Sequence, residues 1–512
     1  MEERKLRFLC RIFIFMKQKF DQSTAPLLEG LMKYAARIRA REMIQFHMPG
    51  HRGGKGIAPL FRQFGRDLFS LDLTELREIN YGNDPDFLLK AAERLAAEAF
   101  GAQTSFFLVN GASIGIAASF LGLNAPGREV IISRDCHLSV INGLILSGMK
   151  PRFISPRWIE GLPALPAPEV LEEAILESPG VAGVFLTNPG YSGLYGPVAQ
   201  MAGVVRKHNL PLLIDEAHGG HLRFFGVPEA ATVGADLWVW GFHKMLGSLT
   251  QTAMLHMGNG VSGEPGRLDP QRIAESLQIL GTTSPSYLLL ASLDSARREL
   301  FFHGERMFST AARLGAKVRR ELRDIPGLRV FPAGELPAGY GCDPTKVILS
   351  FRPLGLSSWQ AEEVLCHGFR IQPEYADGDY LYFFISYAQE EEEVDALIQA
   401  CRRVAVSRCG EKDCFSGWQD RDGEFTPPPW HNGTLELSPR EAFQAPAAHI
   451  SLEEAGDKIA ASVVAAYPPG IPLWVPGERI NPDLVEWGRA LQKSGGYLRG
   501  VDTGTIKIVA GS

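Results

Sequence analysis

A chain of 512 residues, 45% hydrophobic and 21% charged, exceeds what one hydrophobic core organises and implies two or three domains. Its net charge of −6 lacks the basic excess of a nucleic-acid-binding surface. The seven cysteines, at 10, 136, 342, 366, 401, 409 and 414, form no CxxC pair, which argues against a zinc site or disulfide scaffold and for a reducing, cytoplasmic setting.

Leu6 to Phe15 is basic and apolar, but Arg7 and Arg11 interrupt it and no small-residue cleavage site follows. It is too short to span a membrane and a poor signal peptide. Residues 1–15 therefore read as a leader or an extended start, and no membrane span is expected elsewhere. Residues 24–46 predict an amphipathic helix, with Leu27, Leu28, Leu31, Tyr34, Ala35 and Ile38 at helical spacing. A turn, His47-Met48-Pro49-Gly50-His51, follows.

From about 90 to 260 helices and strands alternate. Helices are predicted over Leu89–Phe100, Ile114–Leu121, Leu138–Ser147, Pro168–Leu176 and Val198–His208. Strands are predicted over Ser105–Val109, Glu129–Ile132, Pro151–Ile154, Gly183–Thr187 and Leu210–Asp215. Repeated βα units imply a mainly parallel sheet covered on both faces, with ligands at the carboxyl ends of its strands. Asn110, Asp215 and His243-Lys244 all fall at such ends. Residues 285–325 are predicted helical. Strands at Val347–Phe351 and Leu381–Ser386, with helices at Ser358–Cys366 and Glu390–Arg403, then predict a second, α+β domain. A Pro-rich linker and a C-terminal unit around Tyr467-Pro468-Pro469-Gly470 complete the chain. The domain reading is an N-terminal arm (16–60), a large domain (61–300), a small domain (301–412), a linker (413–433) and a C-terminal domain (434–512).

Lys244 follows the nearly uncharged run Trp238-Val239-Trp240-Gly241-Phe242. Desolvation lowers a lysine's pKa and keeps its amine nucleophilic; the alternative is a solvated lysine after a core strand. Asp215 closes Leu212-Leu213-Ile214, where an aspartate can cap a helix, bind a metal or pair with a cofactor. A strand ending in Asp and another ending in His-Lys suit pyridoxal phosphate, which needs a lysine amine and a carboxylate against its ring nitrogen. Asp215-Glu216-Ala217-His218 also mimics an ATPase box, but no phosphate-binding loop of the required spacing precedes it. Gly111-Ala112-Ser113-Ile114-Gly115 has two readings. It matches the nucleophile elbow of serine hydrolases, and it is also a strand-to-helix turn able to hold a phosphate. His137 and His218 are the histidines suited to stack on a ring or bond a substrate; structural hydrogen bonding is the alternative for each.

At His47-x-Pro49-Gly50-His51, Ala96-Ala97-Glu98-Ala99-Phe100-Gly101, Asp215-Glu216-Ala217-His218-Gly219, His243-Lys244, Thr282-Thr283-Ser284-Pro285 and Tyr467-Pro468-Pro469-Gly470 the chain resembles the Orn/Lys/Arg decarboxylases. The resemblance runs from about residue 24 to about 500 and is nearest the short bacterial form. It implies an α/β, aspartate aminotransferase-like (fold type I) large domain, an α+β small domain and a C-terminal decarboxylase-type domain. It implies decarboxylation of arginine, lysine or ornithine with pyridoxal 5'-phosphate, in polyamine-related metabolism. Lys244 would form the cofactor's Schiff base, Asp215 would pair with the pyridine nitrogen, and His137 would stack on the ring. Ala112, Ser113 and His243 would contact the phosphate, and His218 would lie near the substrate. Enzymes of this fold are usually homodimers or larger homo-oligomers, so Thr283 and Ser284 would serve the phosphate of a second copy. Acidic side chains should read the basic substrate, with Glu374 and Asp377 as candidates; a solvated loop is the alternative. No metal is expected.

The chain departs from the family pattern at Gly241 (usually Ser), Leu138 (usually Lys), Arg52 (usually Lys) and Tyr81-Gly82 (usually an acidic pair). The rival readings are another reaction on the same fold (aminotransferase or lyase), a Ser113 hydrolase, and a non-catalytic cofactor-fold protein.

Overall fold

The computed structural model describes residues 20–43, 47–49, 51–58, 63, 65–74, 76, 87–258, 267–409, 427–430, 435–467 and 470–512. The leader (1–15), the Tyr81-Gly82 pair and most of the 413–433 linker lie outside the described residues.

In chain order, the elements used below begin with α1 (Pro26–Arg39), α2 (Leu88–Phe100), β1 (Thr104–Leu108) and α3 (Gly111–Leu123). They continue with β2 (Glu129–Ser133), α4 (Leu138–Ser147), β3 (Lys150–Ile154), β4 (Val184–Thr187), α5 (Val198–Lys207) and β5 (Leu212–Asp215). Next come β6 (Leu237–Trp240), the short α6 (Phe242–Met245), β7 (Ala253–Met257), α7 (Pro270–Leu280) and the long α8 (Tyr287–Arg323). The small-domain region has β8 (Arg329–Val330), β9 (Lys346–Ser350), β10 (Tyr375–Ala376), β11 (Leu381–Phe384) and α9 (Glu391–Cys409). The C-terminal region has β12 (Ala447–Ser451), β13 (Val464–Tyr467), β14 (Ile471–Trp474), α10 (Pro482–Lys493), β15 (Tyr497–Arg499) and β16 (Thr505–Val509).

Two compact units are present, one of residues 1–115 and 236–304, the other of 116–235 and 305–512. In the first, β7 pairs antiparallel with β1 on one side and β6 on the other. The sheet is mainly parallel, as expected, and this set adds an antiparallel return, because β6 to β7 is a short connection rather than a helical crossover. Gly115 lets the start of α3 lie on β1: a Cβ there would come within 2.8 Å of Leu108 Cδ1. Buried Asp294 on α8 accepts from the Leu27 N–H at 2.9 Å and pairs with Arg297 at 2.7 Å. A carboxylate at the N-terminus of α1 suits the helix dipole, and α1 has no side-chain cap of its own.

In the second unit β2, β3, β4 and β5 are parallel, with β2 between β3 and β4, and β5 beside β4. Helical segments separate successive strands, as predicted, and β5 is buried along its whole length. All four strands point the same way, so their carboxyl ends share one edge, with Thr187 opposite Asp215 in register. A separate antiparallel sheet has the order β8-β9-β11-β10. Its Val347, Leu349, Leu381 and Phe383 form a core with Leu314 and Val318 of α8 and Leu397 of α9. The C-terminal strands surround a further core of Leu473, Trp474, Leu484, Leu498 and Ile506.

Candidate active site

The first unit carries Ala112, Ser113, His243, Lys244, Thr283 and Ser284. Gly111 sits at φ +75° with open space where a Cβ would stand, and its N–H donates to Gln251 O at 2.8 Å. That bond and the β1–β7 pairing bring the first turn of α3, with Ala112 and Ser113, beside the 248–252 loop. The N–H groups of a helix's first turn have no intrahelical acceptor and favour an anion. His243 donates from Nδ1 to Thr252 O at 2.7 Å, which fixes its ring on the same loop. The Ser248 and Thr252 hydroxyls are bonded to each other. Lys244 lies on α6, half-buried, one residue beyond His243. Gly241 is the N-cap residue of α6 and supplies no side-chain cap. Thr283 and Ser284 are exposed, in the connection from α7 to α8.

Ser113 has the wrong setting for a hydrolase nucleophile. An elbow serine occupies the strained position of the turn, whereas the positive φ here belongs to Gly111 and Ser113 is already helical. Among the described residues no histidine hydrogen-bonds Ser113.

The second unit carries Asp215, His137, His218, Glu374 and Asp377. Asp215 closes β5 at 4% exposure; its Oδ1 accepts from the Ala217 N–H at 3.0 Å, and its carbonyl accepts from the Asn188 N–H. Beside it Thr187 has a buried hydroxyl with no protein partner. Glu216, next along, is committed to the Ala230 N–H at 2.8 Å.

His137 is the N-cap of α4: its Nδ1 accepts from the Ser139 N–H at 3.2 Å. An Nδ1 that accepts leaves the ring proton of a neutral imidazole on Nε2. The residues before it are buried; Asp135 is pushed up to about 6 and the Cys136 thiol to about 12, in each case chiefly by burial. Such a thiol is unreactive at neutral pH. Leu138, where the resemblance expects a lysine, donates its N–H to Gly470 O at 3.2 Å. Its Cδ2 would lie 3.1 Å from a Cβ on Gly470. The position is covered by the C-terminal region, which suits an apolar side chain.

His218 is buried, its ring 4.4 Å from that of Tyr191 and 6.1 Å from that of Phe384. Tyr191 donates its hydroxyl to Glu374 Oε1 at 2.7 Å, so Glu374, Tyr191 and His218 form one row. Glu374 and Phe384 also line a cavity of about 350 Å³ with Gln372, Gln389 and Glu393. Asp377 has a different job. Its carboxylate accepts from the Asp379 and Tyr380 N–H groups and the Tyr382 hydroxyl, holding the β10–β11 turn. Burial raises its pKa.

Sequence reasoning missed Tyr191 and Thr187, and placed Gly470 only within the Tyr467-Pro468-Pro469-Gly470 motif. Tyr191 sits in an Asn-Pro-Gly turn with no motif signal, and Thr187 shows only as a strand end. Among the described residues no group of side chains could hold a metal ion, and no helix is long and apolar enough to cross a membrane.

Residues 25–336 match the model of the Orn/Lys/Arg decarboxylase major domain, and 431–505 match that family's C-terminal domain. The chain is 33% identical over 496 residues to a Bacillus subtilis (strain 168) protein named arginine decarboxylase, covering 96% of this chain and 98% of the relative. It is 32% identical to the protein of that name from Halalkalibacterium halodurans, covering 95% and 97%. The solved structure of lysine decarboxylase A from Pseudomonas aeruginosa superposes with a TM-score of 0.80 at 20% identity, covering 99% of this chain and 82% of that one. That likeness shows the fold.

Proposed function

The chain belongs to the Orn/Lys/Arg decarboxylase family, and on that premise we propose arginine as its substrate and a division of labour among its residues. The family reaction is loss of the α-carboxyl group of a basic amino acid as CO2, with release of the amine. Arginine is favoured because the relatives from Bacillus subtilis and Halalkalibacterium halodurans described above, which span nearly the whole chain, carry the name arginine decarboxylase.

The observation that carries the site reading is the row Glu374–Tyr191–His218. It ends in an exposed carboxylate, which suits a guanidinium because a carboxylate can accept two parallel N–H bonds. Tyr191 fixes the carboxylate's direction, and His218 stands at the other end of the row. Asp377 is the weaker candidate, since its carboxylate already accepts three hydrogen bonds that hold the β10–β11 turn.

Pyridoxal phosphate, the cofactor the family implies, supplies an electron sink for the pair left behind as CO2 departs. The residues fit it. The open first turn of α3 suits a phosphate, and the unpartnered Thr187 hydroxyl beside Asp215 lies at a strand end. Lys244 would hold the cofactor's aldehyde carbon, with Ala112, Ser113 and His243 on the phosphate. Asp215 would keep the ring nitrogen protonated and His137 would cover a ring face. Thr283 and Ser284, exposed in a single chain, would serve a second copy in a homodimer or larger assembly. Residues 61–300 would bind cofactor, 301–412 would form the small domain and 434–512 the C-terminal domain. The setting is the cytoplasm and polyamine-related metabolism.

The test is a product screen of arginine, lysine and ornithine with added cofactor. Agmatine and CO2 from arginine are expected. Keto acid without CO2 would transfer the reading to an aminotransferase, and bound cofactor without turnover on any of the three would leave a binding protein.

A further inference from the structure

Lys346 opens β9 and resembles a strand-end lysine that would ordinarily reach solvent. It does not: the side chain is 1% exposed. Burying an ammonium is costly unless it is paired or hydrogen-bonded, so its surroundings need explaining. Its Nζ donates to the carbonyl of Tyr191 at 2.8 Å and stands 4.5 Å from the centre of the Phe384 ring. Its stem fills the space that Gly193 leaves, since a Cβ on Gly193 would come within 2.7 Å of Lys346 Cδ.

The charge is balanced nearby. Fully buried Asp343 accepts from His221 Nε2 at 2.8 Å, from the Thr345 N–H at 2.9 Å and from Thr345 Oγ1 at 2.7 Å. It is held down at about 2 by the His221 and Lys346 charges and the Thr345 hydroxyl, against its burial. Lys346 is brought down to about 8 by burial, opposed by Asp343, Cys342 and Glu374. A cation is therefore sustained where no exposed salt bridge needs one, and its hydrogen bond goes to the residue whose hydroxyl orients Glu374.

We propose that Lys346 is a positioning residue for substrate recognition: its ammonium grips the Tyr191 carbonyl and so sets the hydroxyl that aims Glu374 and the ring that packs on His218. The inference rests on the substrate reading above. It assigns Lys346 no contact with substrate or cofactor.

The test compares wild type, Lys346→Met, Tyr191→Phe and the double variant by amine release. Met keeps the stem and removes the charge. A hydrogen bond from a charged donor is worth enough that KM should rise roughly tenfold in Lys346→Met, with kcat changed much less. Tyr191→Phe should raise KM by a similar factor, and the double variant should be no worse than either single. Lys346→Arg, which keeps a cation, should recover part of the loss. Unchanged KM in either single variant, or factors that multiply in the double, would overturn the proposal. If Lys346→Met does not fold, Lys346→Gln, which also removes the charge, takes its place in the cycle with the same outcomes. Wild type inactive on every basic amino acid would instead overturn the substrate reading.

Discussion

Replacing Arg134 by Met should loosen the C-terminal region from the strand end that carries His137. Arg134 is 1% exposed and donates to Pro472 O at 3.0 Å, to Leu473 O at 2.7 Å and to Glu478 Oε2 at 3.1 Å. Its guanidinium also lies 4.7 Å from the centre of the Phe153 ring and 5.3 Å from that of Trp430. Met fills much of the volume but leaves two buried carbonyls and a carboxylate without their donor. Glu478 would retain the Val475 N–H at 3.0 Å, while burial already raises its pKa. Breaking a buried pair from one side costs about 3–5 kcal/mol. Because Pro472 and Leu473 follow Gly470, which contacts Leu138, activity should fall with stability. The double variant R134M/E478Q removes the stranded charge and should recover about 2 kcal/mol. Urea unfolding followed by tryptophan fluorescence reads the loss, since Trp430 and Trp474 lie in the affected region. A Met variant within about 1 kcal/mol of wild type, the scale of an exposed pair, would refute the reasoning.

Four further outcomes follow from the structure. Gly470→Ala should lower kcat while the protein stays folded, because φ is +102° and the new Cβ would press on Leu138 Cδ2 beside His137; unaltered kinetics would contradict this contact. Asp135, raised to about 6 from 3.8, binds its proton more tightly when folded. Stability should therefore fall by roughly 3 kcal/mol as pH rises from below 3.8 to above 6, and Asp135→Asn should flatten that slope in pH-resolved unfolding. Lys244→Ala should abolish turnover, and Asp215→Asn should lower kcat by at least a hundredfold while cofactor absorbance persists; near-normal kcat in either would remove that residue from the chemistry.

Much of the scaffold was legible because its signals are local. Leu138–Ser147 has the same bounds in sequence and structure, and β5 differs from its expectation only at its start. The helix expected from Ile114 begins at Gly111, because the glycine-rich turn is itself the helix's first turn. The helix expected over residues 24–46 ends at Arg39, with Arg41 at φ +59°. The strand-end position of Asp215 was legible for the same reason. Lys346 was not: its burial depends on Gly193 and Tyr191, far away in the chain, and Asp-Pro-Thr-Lys alone reads as a solvated turn. Glu374 and Asp377 looked equivalent until the β10–β11 turn claimed one carboxylate and left the other facing Tyr191.

The contact between Leu138 and Gly470 bears on how such proteins can be recombined. A chimaera that took its C-terminal region from a relative with lysine at the position of Leu138 would join two halves fitted to different neighbours. The residue after His137 and the turn that covers it form an inheritance unit split across more than three hundred residues of chain (138 to 470). Functional hybrids should be those that exchange both together.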